Sequence, residues 1–183
     1  MKKFTLLFLP SFIASVNLSM GQTMDLPQKH RLGGGAIFGY DHKLEGIAYG
    51  AELMYEYKPF KRFGFIAGLS YQQTRKNLSS VDFSTTGAGV LIHNQYAVAL
   101  GTRYYLNSFY LGGALGLAYE YGKTKMDDGT TFKGGDIYSL YKAVGMGYQL
   151  PLRNGDLMEF ELGTFGTNKA MKLGGTVRYK FLR

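Results

Sequence analysis

The chain has no cysteine. That excludes a disulfide framework and removes the thiol that a lipid anchor would need. Beyond residue 21 it has no stretch of eighteen apolar residues, which excludes a spanning helix in the remainder. It has no run of basic residues, although its formal net charge is +8. The cations are scattered over segment ends, which argues against a nucleic-acid surface and suits the anionic head groups of an outer leaflet. Its three histidines, His30, His42 and His93, do not cluster with other ligands, so no metal and no cofactor are expected.

The first residues read as a secretory signal. Lys2 and Lys3 precede an apolar run from Phe4 to Val16, and small residues follow near Ser19 and Gly21. The run is short and is broken by Pro10 and Asn17, so cleavage after Gly21 is expected rather than retention as an anchor. Losing Lys2 and Lys3 with no acid lowers the net charge from +8 to +6. Residues 22–31 contain Pro27 and no alternation, and read as a periplasmic tail. An exported chain that belongs in a membrane without a spanning helix must be a closed barrel, since only helices and barrels satisfy every backbone group in lipid.

What the chain does have is alternation. In 63–76, one parity holds Phe63, Phe65, Ala67, Leu69 and Tyr71, and the other holds Gly64, Ile66, Gly68, Ser70 and Gln72. Strand side chains point to opposite faces with period two, so this is a strand with one apolar face and one small, polar face. Eight such strands are expected: 32–42, 46–58, 63–76, 94–106, 109–125, 136–150, 156–167 and 171–182. Each reaches the roughly 9–11 residues that a tilted strand needs to cross a bilayer. The connections 59–62, 107–108 and 151–155 are compact, whereas 77–93 and 126–135 are longer. Short turns inside and longer loops outside are the habit of outer-membrane barrels. Val81, Phe83, Val90 and Ile92 keep the parity of the strands beside them. The pattern is that of a hairpin extended above the membrane with its tip near 84–89, or of a plain Ser/Thr/Gly loop.

The contents of the second face separate a membrane barrel from a soluble one. That face carries Gly112, Ala114, Gly116 and Ala118 on one strand and Ala97, Ala99 and Gly101 on another. Such residues make a poor water-facing surface and suit the tight interior of an eight-stranded barrel. The opposite parity, exposed to water, would aggregate. Its aromatics fall into two belts, as at the two membrane interfaces. Tyr55, Tyr57, Phe63, Phe65, Tyr104, Phe109, Tyr148, Tyr179 and Phe181 form one, and Tyr40, Tyr49, Tyr71, Tyr96, Tyr119, Tyr121 and Tyr138 the other. Lys142 breaks the apolar parity, and either snorkels to the outer interface or marks a bulge.

The interior parity carries Glu52, Glu56, Glu120, Glu159 and Glu161 against Arg103, Arg178 and Lys180. Paired carboxylates can do acid–base chemistry. In a narrow lumen they are instead read as a salt-bridge plug, since buried charges must be paired. Glu52, Glu161 and Arg178 are expected near one level, with Glu56, Glu159, Arg103 and Lys180 below. The candidates for a nucleophile and base at the rim are Asp41-His42 and Ser84 with His93, and neither forms a defined motif. The chain therefore reads as a non-enzyme.

The eight strands, the Gly/Ala-and-charge interior and the closing segment Gly174-Gly175-Thr176-Val177-Arg178-Tyr179-Lys180-Phe181 resemble the small outer-membrane barrels of the OmpA transmembrane-domain and OmpX type. The resemblance spans 32–183. It implies an all-β, eight-stranded antiparallel up-and-down transmembrane β-barrel in the bacterial outer membrane, behind a cleavable signal peptide. It implies contact with outer-membrane lipid, and recognition of the C-terminal strand by the barrel assembly machinery. Val177, Tyr179 and Phe181 keep the family's terminal alternation, although Leu182 and Arg183 follow where the family closes on an aromatic. The OmpA type carries a peptidoglycan-binding domain after its barrel, and that role is not carried over. The expected work is structural or surface-interactive and adhesion-like, with an extracellular partner at loops 77–93 and 126–135. A small porin-like channel and a lipid A-modifying barrel enzyme are the rival readings.

Overall fold

The computed structural model of the protein describes residues 30–78 and 89–182. The expected signal segment, the tail up to residue 29, and Val81, Phe83 and Ser84 lie outside the described residues. Nine strands occur among the described residues: β1 (His30–Asp41), β2 (Gly46–Phe60), β3 (Phe63–Leu78), β4 (Gly89–Leu106), β5 (Phe109–Met126), β6 (Thr131–Lys133), β7 (Ile137–Pro151), β8 (Leu157–Gly166) and β9 (Met171–Leu182). Eight of them form the barrel in the order β4-β3-β2-β1-β9-β8-β7-β5, all antiparallel, and the β4–β5 pairing closes the ring. The ninth, β6, pairs with Lys123–Lys125 at the far end of β5.

Strand tilt follows from the register. One row of paired residues runs Phe181, Leu32, Tyr55, Ala67, Leu100, Leu115, Lys142, Gly166, Met171. It returns to β9 ten residues from where it started. For eight strands such a stagger goes with a tilt of roughly 35–45° and an interior just wide enough for side chains. Each step from β5 through β7 and β8 therefore climbs toward the outer end.

Burial is inverted relative to a water-soluble barrel. Leu100, Leu117, Val144 and Leu162 are 67–69% exposed, while Arg103, Glu159 and Lys180 are 0–1% exposed. An outward apolar belt around a charged interior is stable only when the solvent outside is lipid. The first and last described residues, His30 and Leu182, and the short turns lie at one end, the periplasmic end in this architecture. The turn Asn107-Ser108 has two residues, as does Lys61-Arg62, and Asn107 takes a left-handed conformation (φ 60°) that its short polar side chain tolerates.

Several boundaries differ from expectation. β1 begins at His30, because Arg31 lies opposite Glu56 inside the barrel while His30 Nδ1 lies 2.6 Å from the Tyr55 hydroxyl and its ring stacks on Tyr57. β3 and β4 stay paired as far as Leu78 and Gly89, so the hairpin does rise beyond 76 and 94. The 126–135 loop folds back as β6, whose turn is tied by the Thr130 amide donating to Asp128 Oδ1 at 2.8 Å. That bond, outside the membrane, holds the Asp128 carboxyl below its usual pKa. No bulge interrupts the pairing of β5 with β7, so Lys142 keeps the outward parity.

Candidate functional site

The lumen is layered. Nearest the periplasm lies a continuous charge network. Arg178 on β9 donates to Glu52, Glu159 and Glu161, the last at 2.6 Å. Arg103 on β4 reaches Glu159 at 3.0 Å and Glu161 at 2.7 Å. Lys180 joins Glu159 and Glu56, the latter at 2.9 Å. The Tyr110 hydroxyl donates to Glu161 at 2.6 Å, with the Arg103 guanidinium 4.2 Å from the centre of its ring. Gln149 supplies a further donor to Glu159 at 3.0 Å.

Small residues make these reaches feasible. Glu52 and Arg178 stand in one row with Gly35 between them. A Cβ at Gly35 would lie 2.7 Å from Arg178 Cγ and 2.5 Å from the Val177 carbonyl oxygen. The row of Arg103 continues through Gly112, Gly145, Gly163, Gly174 and Gly39 on five successive strands. With no side chains along that row, the guanidinium of Arg103 extends to carboxylates on β8.

Above the network is an apolar layer of Ile37, Ala97, Ala118, Tyr141 and Phe165, with Ala99 and Ala143 against it. A cavity of about 70 Å³ lies between the two, lined by Ser70, Ala99, Ala143, Glu52, Glu161 and Arg178 among others. It has room for a few waters, and waters there would solvate the charges beneath.

Nearer the outer end is a second polar cluster. Glu120 accepts from Thr167 Oγ1 at 2.5 Å and from Gln95 Nε2 at 2.8 Å, and Gln95 Oε1 accepts from Lys172 at 2.6 Å. Asp41 accepts from the backbone amides of Lys43 and Leu44 and from the Thr74 hydroxyl. Seven of the eight interior charges named from sequence, Glu52, Glu56, Arg103, Glu159, Glu161, Arg178 and Lys180, thus meet in one network. Glu120 stands apart, beyond the apolar layer. The two expected levels merge, because the row through Arg178 also contains Glu52 and Glu159. Tyr110, Gln149, Lys172 and Gln95 escaped the sequence reading, yet each lies on the interior parity of its strand.

The rim candidates do not assemble. Asp41 is buried and caps its turn, while the neighbouring His42 is exposed on the other side of the strand. His93 lies on the inner face of β4 with Nδ1 buried and unpartnered, and Ser84 lies outside the described residues.

On the outer face the aromatics form two bands. The outer band is continuous across β3, β4, β5 and β7, where Tyr71–Tyr96, Tyr96–Tyr121 and Tyr119–Tyr138 lie 4.9, 6.4 and 5.3 Å apart. Tyr40 and Tyr49 extend it onto β1 and β2. At the periplasmic end Phe63–Phe65, Phe109–Tyr148 and Tyr179–Phe181 pack edge-on, and Tyr55, Tyr57 and Tyr104 are also outward.

The outer end is uneven. β3, β4 and β5 run 16 to 18 residues and stand as a wall past the tyrosine band. Its outward parity carries Arg75, Lys123, Lys125 and, on β6, Lys133. Opposite, β8 and β9 have 10 and 12 residues and join by a short turn.

No family model and no curated protein matches the chain. Solved structures do match. The attachment invasion locus protein Ail of Yersinia pestis is 18% identical with a TM-score of 0.56, over 83% of this chain and 97% of that one. The same protein in complex with the heparin analogue sucrose octasulfate gives a TM-score of 0.54. Neisserial surface protein A is 10% identical with a TM-score of 0.52, over 84% of this chain and 98% of that one. The similarity reaches the architecture and no further: this chain has the fold of the small eight-stranded β-barrels of the outer membrane.

Proposed function

We propose that the protein is a non-enzymatic integral outer-membrane barrel that works at its outer surface, in an adhesion-like role, with its lumen closed to transport. The observation that carries this reading is the one-sided wall. Three strands continue past the tyrosine band and, with the short β6 beside them, present Arg75, Lys123, Lys125 and Lys133. Among the described residues the three lysines have no ion-pair partner. An unpaired basic surface attracts polyanions at low salt and loses them as salt rises. The heparin analogue bound by the Yersinia pestis protein makes a sulfated polysaccharide the first ligand to try. The charge network and apolar layer beneath support a role that does not involve passage through the barrel. Insertion is proposed to use the alternation of Val177, Tyr179 and Phe181 on β9, read by the barrel assembly machinery.

The test is binding of immobilised heparin by cells displaying the protein. Wild type should bind in a salt-sensitive manner. The triple variant Lys123→Gln, Lys125→Gln, Lys133→Gln should lose most of that binding at equal surface amount. Binding no greater than that of cells without the protein, or a variant as active as wild type, would remove the adhesion-like reading.

A further inference from the structure

Lys142 is the one cation set into the apolar outer face of β7, between Leu140 and Val144 along the strand and beside Leu115 across the register. A Lys is costly at the middle of the bilayer and tolerated near an interface. The structure places its ammonium toward the interface. The row rises from Leu115 to Lys142 to Gly166, and Gly166 offers no side chain to block the way. Lys142 Nζ then donates to Asn168 Oδ1 at 3.1 Å, in the β8–β9 turn.

A second ammonium meets the same residue. Lys43, in the β1–β2 turn, donates to the main-chain oxygen of Asn168. Lys169, exposed, is the next residue in the turn. Among the described residues, none of the three lysines has a carboxylate partner. Of the nearby acids, Asp41 and Glu120 are buried in the lumen and already accept hydrogen bonds there, and Glu45, in the turn of Lys43, pairs with Lys76 at 2.9 Å. The turn is also held rigidly. Thr167 Oγ1 accepts from the amides of Lys169 and Ala170 while donating to Glu120, and the His42 amide donates to the Met171 carbonyl at 3.1 Å.

Lys142 starts inside the apolar belt. On β7 ten residues separate Tyr148 from Tyr138, as ten separate Phe109 from Tyr119 on β5, and Lys142 stands six residues from Tyr148. At about 3.3 Å per residue and a tilt near 40°, the belt spans roughly 25 Å and the Lys142 backbone lies roughly 15 Å up it. Either Lys142 reaches up to the head-group layer or that layer dips toward it.

We infer that the low rim formed by Lys43, Lys142 and Lys169 around Asn168 is a binding site for the phosphorylated head group of an outer-leaflet lipid. A free anion would satisfy only the lysines. A lipid phosphate also brings acyl chains to cover Val144, Leu162 and Leu173, which lie exposed just below. The inference rests on the placement of the barrel in the membrane and not on the activity of the wall.

The test is native mass spectrometry of the protein released from nanodiscs that contain lipid A with its phosphates or the same lipid A without them. The phosphorylated form should be retained preferentially. Lys142→Met should reduce that retention about fivefold, the equivalent of about 1 kcal/mol for one cation near an anionic surface. Asn168→Ala should weaken it as well, by releasing Lys142 from Asn168 Oδ1 while the main-chain oxygen that holds Lys43 stays in place, and Lys142→Arg should keep it. Arg153→Met, at the periplasmic turn, measures general attraction and should have a smaller effect. A heat-dependent gel shift establishes that each variant is folded. Equal retention of both lipids, equal losses for Lys142→Met and Arg153→Met, or displacement of the lipid by inorganic phosphate would overturn the site.

Discussion

The two sides of the outer end are built from the same alternating strands and end differently. On the β3–β6 side the strands outlast the belt, a band of tyrosines marks the interface, and lysines stand above it in water. On the β8–β9 side the strands stop early, the tyrosine band is missing, and Lys142 of the neighbouring β7 enters the apolar face below Tyr138. The wall spends chain length on a surface directed outward. The low rim keeps its cations at the depth of the lipid head groups. Both rest on one lumen, which the proposed function takes as closed, so differences between them concern what lies outside the barrel and not what passes through it.

The largest expected effect lies in the base that the two sides share. Arg178→Ala would strand Glu52 and remove one of several partners from Glu159 and Glu161. Breaking a buried pair in this way typically costs about 3–5 kcal/mol, with the adjoining cavity as a source of relief. Urea unfolding from lipid vesicles should show that loss. A cost near zero would mean that water already screens the network and that the lumen is open.

A smaller effect separates depths on the wall side. Leu115→Arg should cost about 2–4 kcal/mol and Phe109→Arg about 0–1 from the charge alone, because penalties on the lipid face fall toward the interfaces. Equal penalties would mean that Leu115 and Phe109 have been placed at the wrong heights.

Packing against glycine comes next. A Cβ at Gly147 would lie 2.3 Å from the Tyr110 hydroxyl. Gly147→Ala should therefore displace Tyr110 from Glu161 and cost about 1–3 kcal/mol, the usual range for overpacking. Unchanged unfolding would show that the ring moves aside freely.

The smallest effect on stability is expected at the wall. Neutralising Lys123, Lys125 and Lys133 should shift unfolding by less than about 0.5 kcal/mol per site, as surface changes usually do, while abolishing salt-sensitive polyanion binding. A large loss of stability would give these lysines a structural role and erase the contrast with the low rim.

Much of this fold could be read from residue alternation alone. Parity separated Leu115 and Leu117 from Ala114 and Gly116, and picked out the acids and bases that meet inside. Which acid meets which base was not legible, because it depends on the stagger of ten residues around the ring, a property of all eight strands together. Glu120 shows this: its parity is that of Ala118, and only the register lifts it above the apolar layer, away from Arg103. Lys172 and Tyr110 share the interior parity of Arg178 and Gly112, so extending the same rule to the ends of β9 and β5 would have found them. The contact of Lys142 with Asn168 needed the register and the bare backbone of Gly166, neither of which periodicity conveys.

Single-channel recording in a planar bilayer tests most directly whether the lumen is closed. The account predicts no steady conductance for the wild-type protein across the range of voltages at which the bilayer is stable, with openings permitted only after Arg178→Ala loosens the network. Large, long-lived wild-type channels would contradict the plug and would make the protein a pore.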